Sequence, residues 1–239
     1  MQIVNVLLDS TQYGYESLAD RFIKKWQLPF DPYKDKDSIG FIIDGRVIGC
    51  SYVPYPIVEN DLFNSARENV LWPEAESCVT KHRAHLKVTM TREGDPVTAH
   101  ILFTKFVSCL LQQRTVTGIY LRPGLLEPSY YIRCAEELVR KKLPTELWVH
   151  INSINFDKEE GFSFYTTGMS KFGKKEFEIT ETKKNFIDAY YLLKELVKHT
   201  LENNKDIKNG DTIGADENRT SLTVSKGVKV KGTSVKINI

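Results

Sequence analysis

Residues 39–53, IGFIIDGRVIGCSYV, decide the fold, because Asp44-Gly45 separates two apolar runs of strand length. A D-G pair in that setting is the strongest short-range hairpin signal, since the turn it favours twists in the same sense as the strands it joins. Downstream, AHLKVTM (84–90) sets Ala84, Leu86, Val88 and Met90 against His85, Lys87 and Thr89, the period of two of a half-buried strand. Upstream, residues 2–9 read as a buried strand, and 15–26 as a helix with Leu18, Phe22, Ile23 and Trp26 on one face.

The same periodicities extend outward. The connection from Tyr55 to Ala75 has room for a short helix ending before Pro73. Asp95-Pro96 starts an apolar helix to about Gln113 that runs into the strand VTGIYL; a second proline-started helix, 128–142, leads to the strand TELWVHI. Over 183–203, Phe186, Tyr190, Leu193, Val197 and Leu201 recur at helical spacing. In the tail, the pairs Leu222/Val224 and Val228/Val230 and the trio Val235/Ile237/Ile239 alternate with Thr, Ser and Lys, as short antiparallel strands do. The resulting expectation is one α+β domain, 1–239, with two sub-lobes meeting near 72–84. A mixed or antiparallel sheet carries helices in ferredoxin-like βαβ and ββ elements, and antiparallel strands close the C-terminus.

Composition narrows the function classes. The 239 residues are 41% apolar, enough for a real core, and 33 Lys+Arg against 31 Asp+Glu leave a formal charge of +2. That balance exerts no bulk pull on nucleic acid or anionic lipid. Charged residues interrupt every apolar run before membrane-spanning length, and MQIVNVLLDS has no basic leader, so a cytoplasmic, unexported protein is expected. Cys50, Cys78, Cys109 and Cys134 form no C-x-x-C pair and read as reduced thiols.

Few residues suggest chemistry. Glu176 and Glu178, two apart in KKEFEIT, project to one side of a strand, and Asp211 of GDTIG could join them as a three-carboxylate cluster for a hard cation or general acid/base work. The competing reading is a solvated strand face with Phe177 and Ile179 inward. Cys78, His82 and His85 offer three soft ligands but no completed tetrahedral site, so no metal is assigned. Lys226, Lys229, Lys231 and Lys236 suit edge protection better than a phosphate track. A G-x-S-x-G elbow, a P-loop and a strand-linked G-x-G-x-x-G are missing, and no cofactor is expected.

Several strings together resemble a bacterial family, domain of unknown function 4261. They are Trp72-Pro73 ahead of AHLKVT, PTELWV from Pro144, G-x-S-x-Y-T-x-G-x-x-x-F-G-x-x-E-x-E from Gly161 to Glu178, and Gly210-Asp211-Thr212-Ile213-Gly214. The resemblance implies a cytoplasmic α+β domain with no established reaction. It also implies a genomic neighbourhood of secreted toxins, where small binding proteins protect the producing cell. If the motif marks a site, it comprises Tyr165, Phe172, Glu176, Glu178 and Asp211 as partner-binding residues, with Gly168 and Gly173 at unusual torsions; the alternative is a structural corner. The expected function is that of a non-enzymatic immunity or antitoxin-like protein with a protein partner. The rival expectations are a hydrolase built on Glu176, Glu178 and Asp211, or a nucleic-acid accessory protein.

Overall fold

The computed structural model describes residues 2–12, 14–15, 17–34, 38–43, 45–69, 72–91, 94–122, 124–155, 161–214 and 219–239. The chain divides into two compact units, Met1–Lys142 and Leu143–Ile239. Residues 72–84, where sub-lobes were expected to meet, lie inside the first unit.

The first unit runs β1 (Gln2–Leu8), α1 (Leu18–Trp26), β2 (Asp31–Lys34), β3 (Ser38–Ile43), β4 (Arg46–Val53), α2 (Asn60–Arg67), α3 (Ala75–Lys81), β5 (Ala84–Met90), α4 (Pro96–Leu110), β6 (Val116–Tyr120), β7 (Leu125–Leu126) and α5 (Pro128–Ala135). Its seven strands form one sheet in the order β2-β3-β4-β5-β1-β6-β7, every pair antiparallel. The β3–β4 hairpin closes as its sequence requires: Ile43 lies opposite Arg46, and Gly45 takes the positive φ of +71° that the tight turn needs. Asp44 lies outside the described residues.

Register aligns the alternating apolar sets. Val4 faces Val88, Val6 faces Leu86, Cys50 faces Val88 and Phe41 faces Ile48, so one side of the sheet is continuously apolar. Phe22 of α1, Phe106 of α4 and Phe41 of β3 interlock over it, with the Phe41 and Phe106 rings 4.9 Å apart. Burial pushes the Cys50 thiol in this layer up to about 12. On the other side Leu7 and Tyr120 pack under Leu62, Ala66, Ala75 and Val79 of α2 and α3, together with Trp72.

His82 and His85 act here as backbone partners. His82 is buried; its Nδ1 bonds the Val79 carbonyl, and its Nε2 accepts from the Ile57 N–H at 2.8 Å. His85 Nδ1 lies 3.0 Å from the Tyr55 carbonyl, and Cys78 Sγ donates to the Thr117 carbonyl. The two histidines thus hold the 55–57 segment, while Cys78 is drawn to Thr117.

The second unit contains β8 (His150–Asn155), β9 (Phe162–Thr167), β10 (Glu176–Thr182), α6 (Phe186–Glu202), β11 (Thr212–Ile213), β12 (Thr220–Lys226) and β13 (Thr233–Ile237). Sheet order is β11-β12-β13-β10-β9-β8. All pairs are antiparallel except β10 with β13, which run parallel, so the fold is α+β with one antiparallel and one mixed sheet. Among the described residues no helix is long and apolar enough to cross a membrane.

Several expected elements shift. The helix begun at Pro128 tightens after Ala135 into a 3-10 turn, Glu136–Arg140, and TELWVHI opens as a 3-10 turn, Thr145–Leu147, before its strand starts at His150. Val228 and Val230, read as a strand pair, form a turn because their N–H groups are claimed by a side chain instead of a ladder.

Two outcomes follow from these contacts. Asp95 caps α4 by accepting from the Thr98 N–H and hydroxyl, both at 2.7 Å, so Asp95→Ala should cost about 1 kcal/mol in denaturant unfolding. Burial holds the His82 and His85 rings below the ordinary histidine value of 6.5, which favours the neutral form in the fold. Because the folded values are depressed, this contribution is complete above pH 6.5 and is lost as pH falls through them. Unfolding midpoints should therefore drop on acidification from neutrality, and drop less in His82→Gln, which keeps an acceptor for Ile57 and does not titrate.

Candidate functional site

Strands β9 and β10 are joined by the motif segment 168–175, and its folding turns on one carboxylate. Glu176 accepts from the Thr166 hydroxyl at 2.8 Å and from the N–H groups of Gly168, Met169 and Ser170 at 3.0 to 3.2 Å. These are the free donors at the start of a 3-10 turn, Met169–Phe172, so Glu176 caps it from a distance. Thr166 Oγ1 in turn accepts from the Phe177 N–H, which ties both strands to the cap. Gly168 has φ +126°, and a Cβ there would sit 2.6 Å from the Trp148 carbonyl oxygen; Gly173, at φ +70°, ends the turn. Phe172 is buried, its ring 5.7 Å from that of Trp148.

Glu178 solves a harder problem. It is 0% exposed, and an unpaired buried carboxylate would be prohibitively costly. Its oxygens collect the N–H groups of Val228, Lys229 and Val230, the Ser234 hydroxyl at 2.6 Å and the Lys236 ammonium. Three consecutive backbone N–H groups converging on one anion form a nest, and the anion is part of the chain. The parallel register, with Glu178 opposite Lys236 and Glu176 opposite Ser234, brings both side-chain donors of β13 to Glu178.

Asp211 works locally. Its Oδ2 accepts from the Lys208 N–H at 3.0 Å, and its carbonyl accepts from the Leu222 N–H at 2.7 Å, docking a turn onto β12. The three acids therefore serve three different loops. Among the described residues no group of three or more His, Cys, Asp or Glu could hold a metal ion. Tyr165 is half-buried opposite Glu178. The expected solvated face of β10 is corrected: Glu178 is sealed away, and Lys236, read as a tail-surface cation, is its buried partner.

A different surface stands open. Helix α6 buries Ala189, Leu193, Leu196, Val197 and Leu201, but Ile187 is 59% and Tyr191 55% exposed, and Phe186 is also exposed. Phe186 leans on Phe164, ring centroids 4.8 Å apart, and Tyr190 meets Tyr191 edge-on. Beside these, a groove of about 310 Å³ lies between α6 and the following loop, lined by Leu192, Leu196, His199, Ile207 and Ile213. Sequence reading missed this surface because it assigned Phe186 and Tyr190 to the core stripe. Ile187 and Tyr191, four residues apart, were the available signal.

The unit is thus an α+β module whose motif acids hold loops in place. Residues 165–238 match the family model described as Domain of unknown function (DUF4261). The resembling strings before residue 165 lie outside that match. No curated protein and no solved structure matches the chain.

Removing the Glu178 carboxylate strands a buried ammonium and four other donors, so Glu178→Ala should destabilise by about 3–5 kcal/mol. Lys236→Met should cost distinctly less, because the carboxylate keeps its three N–H groups and Ser234. Denaturant unfolding of the two variants checks the order.

Proposed function

We propose that the protein is a non-enzymatic binding protein that engages a protein partner through the outward face of α6. Its role is that of an immunity or antitoxin-like protein occluding a toxin in the bacterial cytoplasm. The carrying observation is the cluster Phe186, Ile187 and Tyr191, three exposed large apolar side chains within two turns of one helix, beside an apolar groove. Single exposed apolar residues are ordinary on protein surfaces, whereas aromatic clusters of this kind are enriched at interfaces. Charged residues of both signs, Lys183, Lys184, Asp188 and Glu195, are exposed on and just before the helix and form a polar rim around the cluster. The toxin as partner is drawn from the family resemblance. The partner surface moves from the motif corner to α6, because Glu178 and Phe172 are buried and have no free face to offer.

The reading is supported by a second feature. Glu176, Glu178 and Asp211 accept from backbone donors of three loops in the same unit, and a fold pinned in this way has less ordering cost to meet on binding.

Affinity capture from the native host with the full chain should return one partner at equal stoichiometry. Tyr191→Ala should weaken the complex by about 2 kcal/mol and Ile187→Asp should abolish it, with Lys183→Ala neutral. A partner fully retained by Ile187→Asp, or protection that depends on substrate turnover, overturns the proposal.

A further inference from the structure

The first unit carries a pocket of about 370 Å³ on the face of its sheet away from the Phe22–Phe41–Phe106 layer, in the size range of small-ligand sites. Its floor is Ile3 and Asn5 of β1 with His85 and Lys87 of β5, and residues 55–59 cross it as a roof. Three bonds pin that roof: His85 to the Tyr55 carbonyl, the Ile57 N–H to His82, and Glu59 to Arg122. These contacts fix the 55–59 segment where it lines the pocket.

Three side chains in the floor keep hydrogen-bonding capacity that no described residue takes up. Asn5 is only 7% exposed, yet its amide makes no side-chain hydrogen bond among the described residues. The amide is not sealed from water, since Asn5 is not among the described residues with a buried polar atom that lacks a partner, so it is open to a ligand in the pocket. His85 donates from Nδ1 to Tyr55, which leaves Nε2 as a bare acceptor on the pocket side. Lys87, directly opposite Asn5 in the ladder, makes no ion pair among the described residues, while Arg122 is neutralised by Glu59. The pocket thus offers the exposed Lys87 cation, the His85 acceptor and the Asn5 amide; Asn5 lies directly opposite Lys87 and diagonal to His85, at about 5 Å and about 7–8 Å respectively. Ile3, Pro56 and Ile57 supply an apolar wall.

We propose that this pocket binds a small organic monocarboxylate carrying an N–H group on an apolar body, as an N-acylated hydrophobic amino acid does. The carboxylate lies on Lys87, the ligand N–H donates to His85 Nε2, its carbonyl accepts from the Asn5 amide, and the apolar part rests on Ile3 and Ile57.

The test is a titration of the full chain with N-acetyl-L-leucine followed by amide NMR. Saturable shifts confined to residues 3–5, 55–59 and 85–87 are expected, with affinity at least about tenfold weaker for the methyl ester and for Lys87→Gln. Asn5→Leu should weaken binding similarly; if that variant does not fold, Lys87→Gln and the ester decide. No saturable shift up to about 10 mM, or equal affinity of acid and ester, overturns the proposal. A tetrapeptide ending in leucine that binds more than about tenfold tighter also overturns it, in favour of a polypeptide C-terminus.

Discussion

Glu178 organises the second unit, because its surroundings must satisfy a charge removed from water. The carboxylate sits in the middle of β10, between an antiparallel neighbour that offers it no donor and a parallel one, β13, that offers Ser234 and Lys236. Those two donors are two residues apart, on one side of their strand, so a register slip of one residue would carry both to the opposite face. The remaining acceptor capacity is filled only if the chain between β12 and β13 abandons extended geometry and turns three N–H groups inward. Burial of one acid thereby dictates the register of a sheet and the shape of a loop.

The first unit meets the same requirement with neutral groups. Its loop at 55–59 is held by imidazoles, each divided between two backbone functions or between a backbone carbonyl and the pocket. A neutral ring with a fixed tautomer organises a loop at a lower desolvation cost than a carboxylate, but only while it stays unprotonated. The histidine-held loop loosens as pH falls below 6.5 through the depressed histidine values, a dependence built into its imidazoles.

Much of the fold could be read from residues. The hairpin at 39–53, the alternation of AHLKVTM and the capped start at Asp95-Pro96 are local signals, and each element formed where its pattern lay. What could not be read is non-local. Alternation in EFEIT says that Glu176 and Glu178 share a face, but it is silent about what covers that face, and the covering strand lies more than fifty residues downstream. Val228 and Val230 alternate as well as any strand, and they were misread because the competitor for their N–H groups is a side chain remote in sequence. Phe186 and Tyr190 fell on the helical stripe, but the stripe is wider than the core it faces, which leaves Phe186 exposed and Tyr190 half-buried.

The extent of the family match bears on what its motif is for. It begins at Tyr165 and ends at Asn238, and within those limits lie Thr166 and residues 168–170 for Glu176, residue 208 for Asp211, and residues 228–230, 234 and 236 for Glu178. The matched stretch therefore encloses the hydrogen-bond partners of all three acids. A stretch that encloses the donors and acceptors of its own acids is self-sufficient as a structural device. The features with capacity to spare lie elsewhere, in the exposed face of α6 within the matched stretch and in the Asn5–His85–Lys87 pocket before it. Within the matched stretch the three acids thus describe a frame, because each spends its oxygens on the backbone that flanks or covers it.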